Sequence, residues 1–261
     1  MTVFLFFLAV LGVCVGSFLA ALVARTVTGM PMDWSSRSQC MHCAHRLGVR
    51  DLIPLLSYVI RGRKCAYCHV PISSQYFFIE AATLLLFVAV GYAGGIPVTY
   101  LEILNLLILL LTFSTLLYCS IVDYFLQAFP VWGLLFVSII QFVLSVFVGA
   151  ITWQERLLSA LGYVLLLWGI KILGTIVWKK DAMGEGDLYM AWCMGMFLGF
   201  GGSIVSFYGA IFSGAFMSIY ILLTKRPIRS LPFAPFLFFG ATLAYFFGES
   251  ILLWYTTQFF L

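Results

Sequence analysis

Apolar residues fall in long runs divided by short polar breaks, at about residues 3 to 24, 77 to 92, 100 to 118, 131 to 148, 157 to 178, 188 to 201, 203 to 223 and 235 to 256. Crossing the hydrocarbon of a bilayer takes about 20 such residues in a helix. Several runs reach that length, while the second and sixth are shorter and have to lie at edges, tilt or be shielded by protein. The pattern predicts an all-α polytopic membrane protein with about eight transmembrane helices. The first run lacks a basic leader and a small-residue cleavage pattern, so it reads as an uncleaved span. Composition agrees: 63% hydrophobic and 9% charged residues, with a mean hydropathy of +1.09, lie far outside the range of soluble domains.

Charge orients the spans, because Lys and Arg concentrate in loops on the cytoplasmic side. One set of alternate connections holds Arg25, Arg37, Arg46, Arg50, Arg61, Arg63, Lys64, Lys179, Lys180, Lys225, Arg226 and Arg229, with Lys171 near a helix end where its side chain can snorkel. The other set holds only Arg156. The first set is read as cytoplasmic, with both termini on the opposite side. Surface basic residues also attract anionic membrane lipid. Asp181, after Lys179 and Lys180, reads as part of a loop charge cluster.

The one sizeable polar segment, residues 26–76, carries Cys40-Met41-His42-Cys43 and Cys65-Ala66-Tyr67-Cys68, two C-x2-C pairs 21 residues apart. Four thiolates at this spacing can converge on Zn2+ as in a zinc ribbon. Two disulfides or four free thiols are the alternatives, and a reducing cytoplasm disfavours disulfides. A closed four-cysteine site needs none of His42, His45 or His69, which read as solvated loop residues. So short a segment has little core of its own, and metal would supply much of its folding free energy. Cys14, Cys119 and Cys193 fall in or at the ends of apolar runs and read as packing residues.

Two carboxylates lie beside apolar runs: Asp123, in Ser120-Ile121-Val122-Asp123-Tyr124, and Asp187, closing Gly184-Glu185-Gly186-Asp187. An ionisable group at membrane depth marks a functional site by default. Asp123 alone could simply end a helix in solvent, but loop charges put both residues on one face. Two carboxyls sharing a proton supply the acid and the base that amide hydrolysis needs. Gly184 and Gly186 would let the chain turn tightly and a substrate backbone approach. Pro130 reads as the start of the fourth span, and Glu185 as a solvated loop carboxylate. Glu80, near the start of the second span, could contact substrate or cofactor, or pair with a local arginine.

Gly16-Ser17-Phe18-Leu19 ahead of Arg25, the paired knuckles, Ile53-Pro54-Leu55-Leu56-Ser57-Tyr58 leading into Arg61-Gly62-Arg63, Pro71-Ile72-Ser73 with Tyr76 and Glu80, Asp123 with Pro130, the Gly-x-Gly-Asp segment and Leu231-Pro232-Phe233-Ala234-Pro235 follow in one order. That order resembles the type IV prepilin peptidases, bifunctional leader peptidases and N-methyltransferases of type IV pilus and type II secretion systems. The resemblance implies an aspartic protease of the Gly-x-Gly-Asp class in the bacterial cytoplasmic (inner) membrane. It would cut the basic leader from prepilins and pseudopilins at the cytoplasmic face, then methylate the new N-terminal residue, usually phenylalanine, with S-adenosyl-L-methionine. Asp123 and Asp187 match the catalytic positions.

The implied organisation is a first transmembrane helix over 1–25, the zinc module linked to methyl transfer over 26–76, and a transmembrane peptidase domain over 77–261. Nucleic acid has no place in this reading. Three departures are visible: Tyr189 stands where the family commonly has lysine, Ala20 where it commonly has asparagine, and Val131 where it often has a polar residue. A proton-coupled transporter, or a noncatalytic pilus or secretion assembly factor, is the competing function.

Overall fold

The computed structural model describes residues 1–30, 38–147, 151–179, 183–224 and 231–259. Arg37, Lys180, Asp181, Lys225, Arg226 and Arg229 therefore lie outside the described residues. The described chain is α-helical: α1 (Thr2–Thr28), the short α2 (Leu56–Ile60), α3 (Ser74–Gly94), α4 (Tyr100–Leu126), α5 (Trp132–Phe147), α6 (Trp153–Trp178), α7 (Glu185–Thr224) and α8 (Ala234–Phe259). Six of these helices are long and apolar enough to cross a membrane, and α5, at 16 residues, is shorter. The protein is a multi-pass membrane protein.

The eight apolar runs map onto these helices with two adjustments. The second run grows into a 21-residue helix, because Ser73 caps it by accepting the Gln75 N–H at 3.3 Å and so adds a turn of polar residues ahead of the apolar stretch. The sixth and seventh runs are the two arms of α7, whose 40 residues are broken at Gly199. A straight helix of that length would be about 60 Å long, twice the hydrocarbon thickness.

Packing shows that the chain reverses at this break. Gly199 lies beside Ile151 and Glu155, where α6 begins; Gly195 on the first arm lies against Ala160, and Ser206 on the second pairs with Tyr163 Oη at 3.3 Å. Both arms thus run back along α6 from the same point. The reversal uses φ 68° and ψ −173°, a region essentially reserved for glycine. Arg156 closes the end of the first arm by donating to the Met196 carbonyl at 2.7 Å. The only Lys or Arg on the charge-poor side thereby satisfies carbonyls that a helix end leaves open.

The chain divides into two compact units, Met1–Ser114 and Thr115–Leu261. In the first, α1 and α3 meet along a glycine seam: a Cβ at Gly12 would lie 3.0 Å from the Leu84 backbone, and one at Gly16 would lie 2.8 Å from Glu80 Cα. Small residues four apart let two membrane helices approach this closely. In the second unit, α6, α7 and α8 pack around buried Ala160, Met190, Met194, Val205, Leu237 and Ala241. Cys119 and Cys193 are buried as expected, but Cys14 is exposed on α1 and is not a packing residue.

Candidate active site and metal centre

The second unit brings the two aspartates together at one end of its helices. Asp123 occupies the last turn of α4 and Asp187 the first turn of α7; both are buried, at 7% and 6% exposure. They are close enough for their charges to act on each other, and Lys171 of α6 also acts on Asp187.

Each carboxylate takes a backbone N–H from the start of a helix. Asp187 takes the backbone N–H of Gly184, the reach from N3 back to the N-cap that closes half of a capping box. Asp123 accepts the Ala234 N–H at 3.3 Å, where α8 begins. Ser120, one turn before Asp123, donates to the Ala234 carbonyl at 3.2 Å. The Leu231-Pro232-Phe233-Ala234-Pro235 segment thereby gains a physical role. Pro235 has no N–H to offer, so Ala234 supplies the contact.

Gly186 also has a packing neighbour. Gly186 lies inside the first turn of α7, and a Cβ there would come within 2.7 Å of the Phe129 ring. The close neighbour is thus a side chain from the α4–α5 connection, and the loop containing Gly184 stops before Glu185. Tyr189 follows Asp187 by two residues, about 200° around the helix. It faces the opposite side, in a groove with Glu185, Leu188, Trp192, Leu135 and Val164. The cation that acts on Asp187 is Lys171, from another helix.

Glu80 belongs to the first unit and is buried at 8% exposure. It accepts the Leu55 N–H at 2.7 Å and bonds Ser17 of α1, so its partners are backbone and serine, not arginine. Leu55 is held at φ 59°. Glu80 ties α1, α3 and the polar segment into one unit.

In that segment the sulfurs of Cys40, Cys43, Cys65 and Cys68 all lie within 4.8 Å of one another, with Cys40 and Cys68 at 3.8 Å. A tetrahedron with metal–sulfur bonds of 2.3 Å has edges of about 3.8 Å, so the donor set is compatible with zinc. No disulfide is formed. The two knuckles repeat one another 25 residues apart. Cys40 N–H bonds the His45 carbonyl as Cys65 N–H bonds that of Val70, and Ala44 N–H bonds the Cys40 carbonyl as His69 N–H bonds that of Cys65. Ala44 and His69 share a positive φ, 54° and 57°, and the bridges Gln39–Arg46 and Lys64–Pro71 close the repeat. Backbone N–H groups of Cys43 and His42 point at Cys40 and hold its thiol down to about 6, ready to bind metal as thiolate.

The histidines are not ligands in this arrangement: His45 stacks on Tyr67 with centroids 3.6 Å apart. Tyr67 Oη donates to Asp51 at 3.1 Å, and Asp51 pairs with Arg61. The Gly48 N–H, the Tyr67 hydroxyl and the Arg61 charge hold the Asp51 carboxyl below its ordinary range.

The partners that sequence reading missed are Ser17, Leu55, Ser120, Phe129, Lys171 and Ala234. Only the Ser120–Asp123 spacing carried a local signal, because it places both on one helix face.

Comparison with known proteins points to a family. Residues 10–93 match the family described as "Bacterial Peptidase A24 N-terminal domain", and residues 110–219 match the "Type IV leader peptidase family". Three similar proteins all carry the description "Prepilin leader peptidase/N-methyltransferase". That of Aeromonas hydrophila is 29% identical over 94% of this chain and 91% of its own length. That of Myxococcus xanthus (strain DK1622) is 33% identical over 84% of this chain and 64% of its own. That of Bacillus subtilis (strain 168) is 28% identical over 95% and 96%. No solved structure matches the chain.

Proposed function

The chain belongs to the type IV prepilin peptidases, and on that premise we propose that Asp123 and Asp187 form the dyad with which it removes the leader from prepilins and pseudopilins. The observation that carries the proposal is the meeting of both carboxylates, from α4 and α7, in one unit. With one proton between them, the ionised member takes a proton from water as its oxygen attacks the scissile carbonyl. The protonated member donates to the carbonyl oxygen. Collapse of the tetrahedral intermediate then returns a proton to the departing amine. The Ala234 and Gly184 N–H groups fix the two carboxylates and keep an anion tolerable in a site shielded from water.

The same reading sets the site at the cytoplasmic face of the bacterial inner membrane, where most of the basic residues lie. It takes the four cysteines as a structural Zn2+ site, with Cys40, Cys43, Cys65 and Cys68 as ligands. It also has the freed N-terminal residue methylated from S-adenosyl-L-methionine. The donor is inferred from the relatives' description, and no residue of this chain is assigned to it. A proton-coupled transporter or a noncatalytic assembly factor finds no counterpart in those descriptions.

Incubating the purified protein in detergent with a prepilin tests the dyad. Wild type is expected to release the leader, while Asp123→Asn and Asp187→Asn, nearly unchanged in shape, are expected to bind the prepilin without cleaving it. Cleavage at the wild-type rate by either variant would remove that residue from the mechanism.

A further inference from the structure

Residues 49–60, between the two knuckles, carry an apolar face that stays exposed among the described residues. Val49, Leu52, Ile53, Leu56, Val59 and Ile60 are exposed at 85%, 41%, 43%, 58%, 64% and 79%. Leu56, Val59 and Ile60 share one side of α2, and Val49, Leu52 and Ile53 lie in and just after the 3-10 turn at Val49–Asp51 that precedes it. The opposite side is occupied: Tyr58 packs on Phe77 of α3 with ring centroids 5.4 Å apart, and Leu55 is bonded to Glu80. In water such a face would be a liability.

Two rulers within the first unit give its depth along the helices. Glu80, which holds Leu55, is six residues into α3 from Ser74, about 9 Å along the axis. Glu80 also packs at the level of Gly16 on α1. Gly16 precedes Arg25, the first charge on that helix, by nine residues, about 13 Å. Both measures set Leu55, which is bonded to Glu80, below the level at which the helices turn polar. An amphipathic segment that rests on a bilayer buries its apolar face by about 5–10 Å at the headgroup boundary. Exposed Arg50, Arg63 and Lys64 flank the apolar residues in sequence, and basic residues at that depth pair with anionic headgroups.

We propose that residues 49–60 form a bilayer anchor, in which the six apolar side chains enter the lipid and Arg50, Arg63 and Lys64 engage anionic phospholipid headgroups. The anchor would hold the four-cysteine knuckles against the membrane surface on either side of it. It is independent of the dyad and stands whether or not Asp123 and Asp187 cleave a peptide.

The test places the photoreactive residue p-benzoylphenylalanine at position 60 or at position 41, in the full chain reconstituted into nanodiscs of phosphatidylcholine and phosphatidylglycerol. Ile60 and Met41 are both exposed, at 79% and 52%, but only Ile60 is on the proposed face. After irradiation, mass spectrometry is expected to find phospholipid adducts at position 60 and none at 41. Absence of lipid adducts at 60, equal yields at both positions, or adducts only to a second polypeptide would overturn the anchor. Hydrogen exchange tests the charge contribution: amides 52–60 should exchange several-fold more slowly in anionic than in purely zwitterionic nanodiscs. Replacing Arg50, Arg63 and Lys64 by glutamine should abolish the difference, and equal wild-type rates in both lipids would refute the headgroup contacts.

Discussion

At the scale of single residues, the site is made by atoms that leave little room for exchange. Gly186 is a sharp case, since a Cβ would fall 2.7 Å from the Phe129 ring. Gly186→Ala is expected to cost about 1–3 kcal/mol, as overpacking does, and to slow prepilin cleavage by tilting the first turn of α7 that carries Asp187. Combining it with Phe129→Leu, which shortens the obstructing side chain, should recover most of that loss. If the double variant is as impaired as the single one, the ring is not what makes glycine necessary. This packing was not legible in the sequence, where the glycines announce a tight turn without saying what approaches them. The aspartates were legible, because a charge beside apolar runs is conspicuous. The Ala234 partner of Asp123 was not, because 111 residues separate them and periodicity carries no information across that distance.

Among the elements, α7 carries the topology. Its reversal at Gly199 converts one 40-residue helix into two arms and returns the chain to the end where Asp187 started, so that α8 can begin beside Asp123. The apolar runs marked both arms, broken near Gly201 and Gly202, but the backbone turns two residues earlier, where the left-handed φ is needed. Gly199→Ala would impose that conformation on a residue with a Cβ, and its methyl would meet Ile151 at 3.1 Å. The cost should be on the order of 1–3 kcal/mol, with a lower thermal midpoint in detergent and reduced cleavage. Gly162→Ala in α6 is the control, because a Cβ there has no neighbour within 4 Å. Helix propensity makes that change neutral or stabilising by about 0.5–1 kcal/mol. Equal midpoints for the two variants would mean that the break does not depend on glycine.

For the molecule as a whole, the division into Met1–Ser114 and Thr115–Leu261 leaves the four knuckle cysteines and the two aspartates in different units. All four cysteines belong to the first unit, and both aspartates, with Ala234 and Gly184, belong to the second. The knuckle segment has almost no apolar core: of its residues, Cys65 alone is a buried hydrophobic position. Under the proposed zinc assignment its folding would lean on the metal, which in comparable thiolate sites supplies about 10–16 kcal/mol. Cys40→Ser with Cys65→Ser removes one ligand from each knuckle. The double variant is expected to lose zinc by elemental analysis and amide protection across 38–72. The helices of the second unit should keep their protection, and prepilin cleavage should fall far less than methylation of the product. The proposed dyad takes no group from the knuckles, whereas the proposed organisation links methyl transfer to the cysteine module. Loss of both activities to the same extent, with the second unit still protected, would mean that cleavage too requires the metal-bound segment. The separation of chemistries along the chain would then fail even though the fold had survived.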